Sequence, residues 1–175
     1  MHKTKYNQII IGIDPGKYPG IAFLGDGKVI SVYQGSVYKV KDIIQQALKN
    51  IISENILIRI GHGARLLRTQ IVNSLIELNI PIELVDETGT TPKNKSDIIA
   101  AINIAQIKGK QVGKQYIEPS IGEIRVIQER SRKQSNGTLT IPRALAKKVA
   151  KGEITLEEVT SVKSDFIQTF FKDER

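Results

Sequence analysis

Residues Gln8 to Gly27 read QIIIGIDPGKYPGIAFLGDG, and this stretch decides the fold. The apolar run from Ile9 to Ile13, broken only by Gly12, stops at Asp14-Pro15-Gly16, and a second apolar run, Ile21 to Leu24, follows. A run that is apolar on successive residues reads as a strand covered on both faces, inside a sheet and not at its rim. Pro15 has no N–H to give a ladder and Gly16 tolerates positive φ, so the chain turns directly after Asp14. The carboxylate is thereby presented at the end of a stiff strand. An Asx-turn, in which Asp14 only closes the turn through its own side chain, competes with that reading.

Working outward, Gly20 to Leu24 and Lys28 to Tyr33 flank Gly25-Asp26-Gly27, a hairpin signal, so three antiparallel strands open the chain. Val40 to Ile52 carries apolar residues at helical spacing. Leu57 to Ile60 is a short strand ending in Gly61-His62-Gly63-Ala64, a helix follows from about Arg65 to Leu78, and Pro81 to Val85 is a strand ending in Asp86 and Glu87. Helices between the later strands imply parallel crossovers. After the loop Thr88 to Lys95, SDIIAAINIAQIKG reads as a helix with Ser96 as N-cap and Gly109 as stop. Its alanines allow it to lie close on a sheet and carry Asp97 inward, although an acid in a first helical turn is also what the helix dipole prefers.

The hairpin-led order β-β-β-α-β-α-β-α, with a carboxylate closing the first strand, resembles the ribonuclease H-like fold. Three features resemble the YqgF/RuvC branch of resolvase-like nucleases: IGIDPG around Asp14, VDETGTT from Val85 to Thr91, and SDIIAAINIA from Ser96. The YqgF pattern has a GIDxG strand, a VDER-x-TT turn and a D-x-x-AA helix in this order. The resemblance spans residues 1–112, the expected core, and fades toward the basic extension 113–175. It implies a metal-dependent nuclease acting on structured nucleic acid, Holliday-junction-like DNA or precursor RNA, with Asp14, Glu87 and Asp97 as catalytic and metal-ligating carboxylates for Mg²⁺ or Mn²⁺. Resolvases that cut symmetrically act as dimers, which leaves room for a homodimer. Asp86 competes with Glu87 because strand alternation sends them to opposite faces, and the resemblance favours Glu87.

The chain departs from the family pattern at three places. Thr88 stands where the YqgF turn has Arg, the RuvC fourth-strand acid falls near His62, and the RuvC D-x-x-D pair reads Asn94-Lys95-Ser96-Asp97. A non-catalytic nucleic-acid-binding protein with a degraded site is therefore the second reading. GIDPG also resembles the first phosphate loop of actin-like and sugar-kinase-like ATPases, but that architecture needs two such domains, and 175 residues hold one.

Composition narrows the chemistry. With no cysteine and only His2 and His62, thiolate and histidine-built zinc sites are excluded, leaving a hard cation on oxygen ligands. No run of 18 apolar residues and no apolar leader core occur, so the expectation is a cytoplasmic chain with no membrane partner. The formal charge is +8, and the stretch from Lys108 to Lys151, with eleven lysines and arginines against three glutamates, accounts for it. Clustered cations are the footprint of a polyanion such as DNA or RNA; a solvated basic surface is the plainer alternative. Arg65, beside the Gly-flanked helix start, and Arg130, Arg132, Lys133, Arg143 and Lys147 are the expected nucleic-acid contacts. Thr90 and Thr91 either bind phosphate or cap their loop.

In the extension, Asn136-Gly137 signals a type I′ turn, which predicts a hairpin of residues 123–129 and 138–141 with Arg130, Arg132 and Lys133 at its tip. Pro142 then opens one helix, and Thr155 with Glu158 forms a capping box before another.

Overall fold

The structure, a computed structural model, describes residues 2–88, 95–116 and 118–161, and the chain forms two compact units, Met1–Tyr116 and Ile117–Arg175. The first contains β1 (Thr4–Lys5), β2 (Gln8–Asp14), β3 (Gly20–Gly25), β4 (Lys28–Gln34), α1 (Val40–Leu48), β5 (Ile51–Ile52), β6 (Asn55–Gly61), α2 (Arg65–Leu75), β7 (Ile82–Val85), α3 (Asp97–Gln106) and β8 (Lys110–Val112). Six strands form one mixed sheet in the order β4-β3-β2-β6-β7-β8. β2, β3 and β4 are antiparallel neighbours, β2, β6 and β7 run parallel, and β8 returns antiparallel to β7. The expected mixed sheet with an antiparallel start is present. β1 and β5, a separate parallel pair, and β8 were not expected; Ile51 and Ile52 belong to β5 and not to the helix before it.

Local chemistry explains the opening meander. Asp26 and Gly27 both hold positive φ, 49° and 82°, which a type I′ turn requires, and Gly25 faces Lys28 across the two-residue loop. The central strand β2 is covered on both sides. Ile9, Ile11 and Ile13 face a core shared with Ile21, Phe23, Ile58, Ile60 and the inner sides of α1 (Val40, Ile44) and α2 (Ile71, Val72, Leu75). Each of these side chains contributes about 1.5–3 kcal/mol by leaving water.

The opposite face belongs to α3. Ala101 and Ala105 pack with Ala22 and Leu24, and the helix comes so close that a Cβ on Gly12 would lie 2.0 Å from the Ala101 carbonyl oxygen. A Cβ on Gly20 would lie 2.2 Å from that of Asp97. Glycine at both positions is what lets the helix rest on backbone. Its far end is tied down by Arg59, whose Nε donates to Glu83 at 2.9 Å and whose guanidinium donates to the Ala105 carbonyl at 2.7 Å; Glu83 also accepts from Gly109 N at 3.0 Å.

Among the described residues the second unit holds three helices, α4 (Ile121–Gln134), α5 (Arg143–Ala150) and α6 (Leu156–Ser161). The expected hairpin is not formed: residues 123–129 lie inside α4, and 138–141 is a connection without strand. Asn136 and Gly137 have φ of 53° and 81°, and Gly137 N donates to the Arg132 carbonyl while Asn136 N donates to that of Lys133. This pair of bonds is a Schellman motif, so Asn-Gly ends a helix here. Buried Ser131 accepts from Ile141 N at 3.0 Å, pinning the connection onto α4 beside Ile124, Ile127, Leu145 and Val149. The Thr155–Glu158 capping box forms as expected, at 3.0 and 2.8 Å. The residues 162–175, over which that helix was expected to run on, lie outside the described residues, as do Thr90, Thr91 and Asn94.

Candidate active site

Register brings the site together. Asp14 faces Gly20 across β2 and β3, and Gly20 faces Gln34 across β3 and β4, so Asp14 and Gln34 stand on one face of the sheet with a glycine between them. The start of α3 lies over that glycine. Ser96 caps the helix, its hydroxyl accepting from Ile99 N at 3.3 Å, and this fixes Asp97 at the first position. Gln34 Nε2 then donates to Asp97 Oδ2 at 2.7 Å and to the Tyr18 carbonyl at 3.2 Å. The amide orients one acid of the site.

The choice between Asp86 and Glu87 follows from strand parity. Glu83 on β7 faces α3, since it shares Arg59 with that helix and bonds Gly109 beyond it, and Val85 and Glu87 continue the same parity. A Cβ on Gly61 would lie 2.1 Å from Glu87 Oε1 and 2.8 Å from Ile104 Cδ1, which places the Glu87 carboxylate against the end of β6 beneath α3. Asp86 is exposed, accepts from Thr88 N at 2.9 Å and from the Thr88 hydroxyl, and is held below the usual carboxylate range by those bonds and by the nearby His62. It closes its own turn.

Asp14, half-buried at the end of β2, gathers the other two acids electrostatically. Its carboxyl is pushed up to about 6, first by burial, then by the charges of Glu87 and Asp97, and by a hydrogen bond with the Asp97 side chain. The charges of Glu87 and Asp97, from two other segments of the chain, thus bear on Asp14. Among the described residues no three His, Cys, Asp or Glu side chains are gathered into a shell that could hold an ion as placed. The donor chemistry fits Mg²⁺ or Mn²⁺, being oxygen throughout, while the spacing requires the carboxylates to draw closer.

The expected nucleic-acid residues divide between the units. Arg65 is exposed at the start of α2. Arg130, Arg132 and Lys133 are exposed on the last turns of α4, and Arg143 is exposed at the start of α5; the first three therefore ride a helix and not a hairpin tip. Lys147 is engaged by Glu118, which also stands 3.7 Å from Lys151. Sequence reasoning passed over Gln34 and Gly61. Gln34 becomes visible only through cross-strand register, whereas in GHGAR the glycines read equally as a phosphate-binding helix start and as a tight turn, and neither reading points to the room that Gly61 leaves for Glu87.

Among the described residues, no helix is long and apolar enough to cross a membrane. A family model described as a three helical bundle domain matches residues 120–163, and α4, α5 and α6 fall within that span. No curated protein matches the chain.

Proposed function

We propose that this protein is a metal-dependent nuclease of the ribonuclease H-like, YqgF/RuvC-like type that cuts structured nucleic acid. The reading rests chiefly on one observation: Asp14, at the end of β2, has its carboxyl raised to about 6 by burial and by the charges of Glu87 and Asp97, which come from two other, distant segments. Asp14, Glu87 and Asp97 would hold Mg²⁺ or Mn²⁺, which when bound activates water and neutralises charge on a phosphodiester. The chain's own part is positioning. Gln34 fixes the Asp97 carboxylate, Gly61 makes room for that of Glu87, and Asp14 binds a proton more tightly than an ordinary carboxyl, so that proton and cation compete for it below about pH 6. The exposed cations of α4 and α5 supply attraction for DNA or RNA by releasing counterions from its phosphates.

The test is cleavage of branched DNA and of precursor RNA. Cutting requires Mg²⁺ or Mn²⁺ and disappears in Asp14→Asn while binding persists. A second reading, a non-catalytic binder on the same fold, is favoured by the open spacing of the three acids and by Thr88 in the place of the family's Arg. Binding without metal-dependent cutting on either class of substrate selects it.

A further inference from the structure

Arg68 on α2 is only 9% exposed, yet among the described residues no carboxylate pairs with it. Its guanidinium donates to the His62 carbonyl, and its buried Nε has no hydrogen-bond partner. Burial and the charge of neighbouring Arg65 both press against its cationic form. A guanidinium withdrawn from water is ordinarily matched by an anion, because an uncompensated buried charge is strongly unfavourable. Here the counter-charge is not supplied by the described chain.

The position of the group says where an anion would go. Helical side chains lean toward the N-terminus, and the bond to His62 places the guanidinium at the junction of β6 and the first turn of α2. That helix starts at Ala64, φ 44° and ψ 63°, with no side-chain cap, so the positive end of its dipole and its first N–H groups face the same junction. Arg65, one residue on, adds a second positive charge close enough to act on Arg68.

We propose that the β6–α2 turn is a phosphate-binding site, in which the Arg68 and Arg65 guanidinium groups and the start of α2 hold one tetrahedral oxyanion. Two forked guanidinium groups match the oxygens of phosphate better than a single-point anion such as chloride. β6 runs parallel to β2, Ile60 beside Ile13, so this turn and Asp14 emerge at the same rim of the sheet. Resting on the nuclease reading, the phosphate is a backbone phosphate near the one delivered to the acids. It offsets the repulsion that three carboxylates would otherwise exert on a polyanion.

The experiment titrates inorganic phosphate into the ¹⁵N-labelled full chain at constant ionic strength, with chloride as control, and follows the Arg68 Nε–H and the backbone N–H signals of Arg65 and Leu66. Saturable shifts with phosphate and none with chloride are expected, weakened about tenfold in Arg65→Ala, which leaves the buried Arg68 in place. An Arg68 Nε–H signal that phosphate does not move overturns the site. In a second arm, an oligonucleotide without terminal phosphates displaces inorganic phosphate if the source is the backbone. Failure to displace it overturns the backbone assignment. Metal-dependent cutting with a silent Arg68 removes this site and leaves the nuclease reading; phosphate binding without cutting does the reverse.

Discussion

The Glu87 carboxylate occupies the space that a side chain on Gly61 would need, its Oε1 lying 2.1 Å from where a Cβ would stand. An acid at the end of β6 and an acid from the end of β7 cannot both point beneath α3, and this chain keeps the second. Gly61→Ala therefore displaces the Glu87 carboxylate, and because that carboxylate is the mobile end of a long side chain the fold survives, with a small cost from Ile104 nearby. The expected outcome is a loss of cleavage of about 100-fold, the size associated with roughly 1 Å misplacement of a catalytic group. Thermal unfolding and cleavage assays on the same preparation separate the two effects.

Asp14 makes stability fall as pH rises. Its folded-state value of about 6 lies above the ordinary 3.8, so between these the native chain holds a proton that the unfolded chain has released. The penalty is absent below pH 3.8, grows through the window and is complete above 6. Undiscounted, the displacement is worth about 3 kcal/mol; for a half-buried group screened by solvent, roughly 1–2 kcal/mol is expected. Asp14→Asn should therefore unfold at higher temperature than the parent at pH 8 and at the same temperature near pH 3.5. In calorimetry, Mn²⁺ should raise the parent's midpoint at pH 8 and leave that of Asp14→Asn unchanged.

Much of the first unit was legible because its signals are local. Gly25-Asp26-Gly27 dictates a turn through positive φ, Ser96 dictates a helix start, and the unbroken isoleucines of β2 dictate a central strand. The hairpin expected at Asn136-Gly137 failed because residues tolerant of positive φ serve a Schellman helix end as well as a type I′ turn, and the sequence pair alone does not distinguish them. β8 was illegible for a different reason: Lys110-Gln111-Val112 has no strand pattern of its own and is held by pairing with β7. Of the candidate site, the three acids are proposed from their motifs, while Gln34 needed the register of three strands and Arg68 needed burial.

Ser131 supports the second unit through one buried bond. Ser131→Ala leaves the Ile141 N–H without its acceptor, at a cost of about 1–3 kcal/mol. Denaturant unfolding followed by signals from α4 and α5 should show the loss there.

The exposed cations of α4 set the salt dependence. Replacing Arg130, Arg132 and Lys133 by glutamine should weaken DNA or RNA binding uniformly across sequences and lower the slope of log affinity against log salt by about one for each cation that meets a phosphate. Lys147→Gln should change that slope little, since Glu118 already engages it.

Paramagnetic broadening by Mn²⁺ tests the union of the three acids most directly. In the ¹⁵N-labelled chain, substoichiometric Mn²⁺ should erase the backbone signals around Asp14, Gly61, Glu87 and Asp97 together and spare those of α1, on the opposite face of the sheet, and Asp14→Asn should abolish the effect. Broadening that is absent, or that centres on Asp86 or elsewhere and survives Asp14→Asn, would contradict a shared metal site at the end of β2.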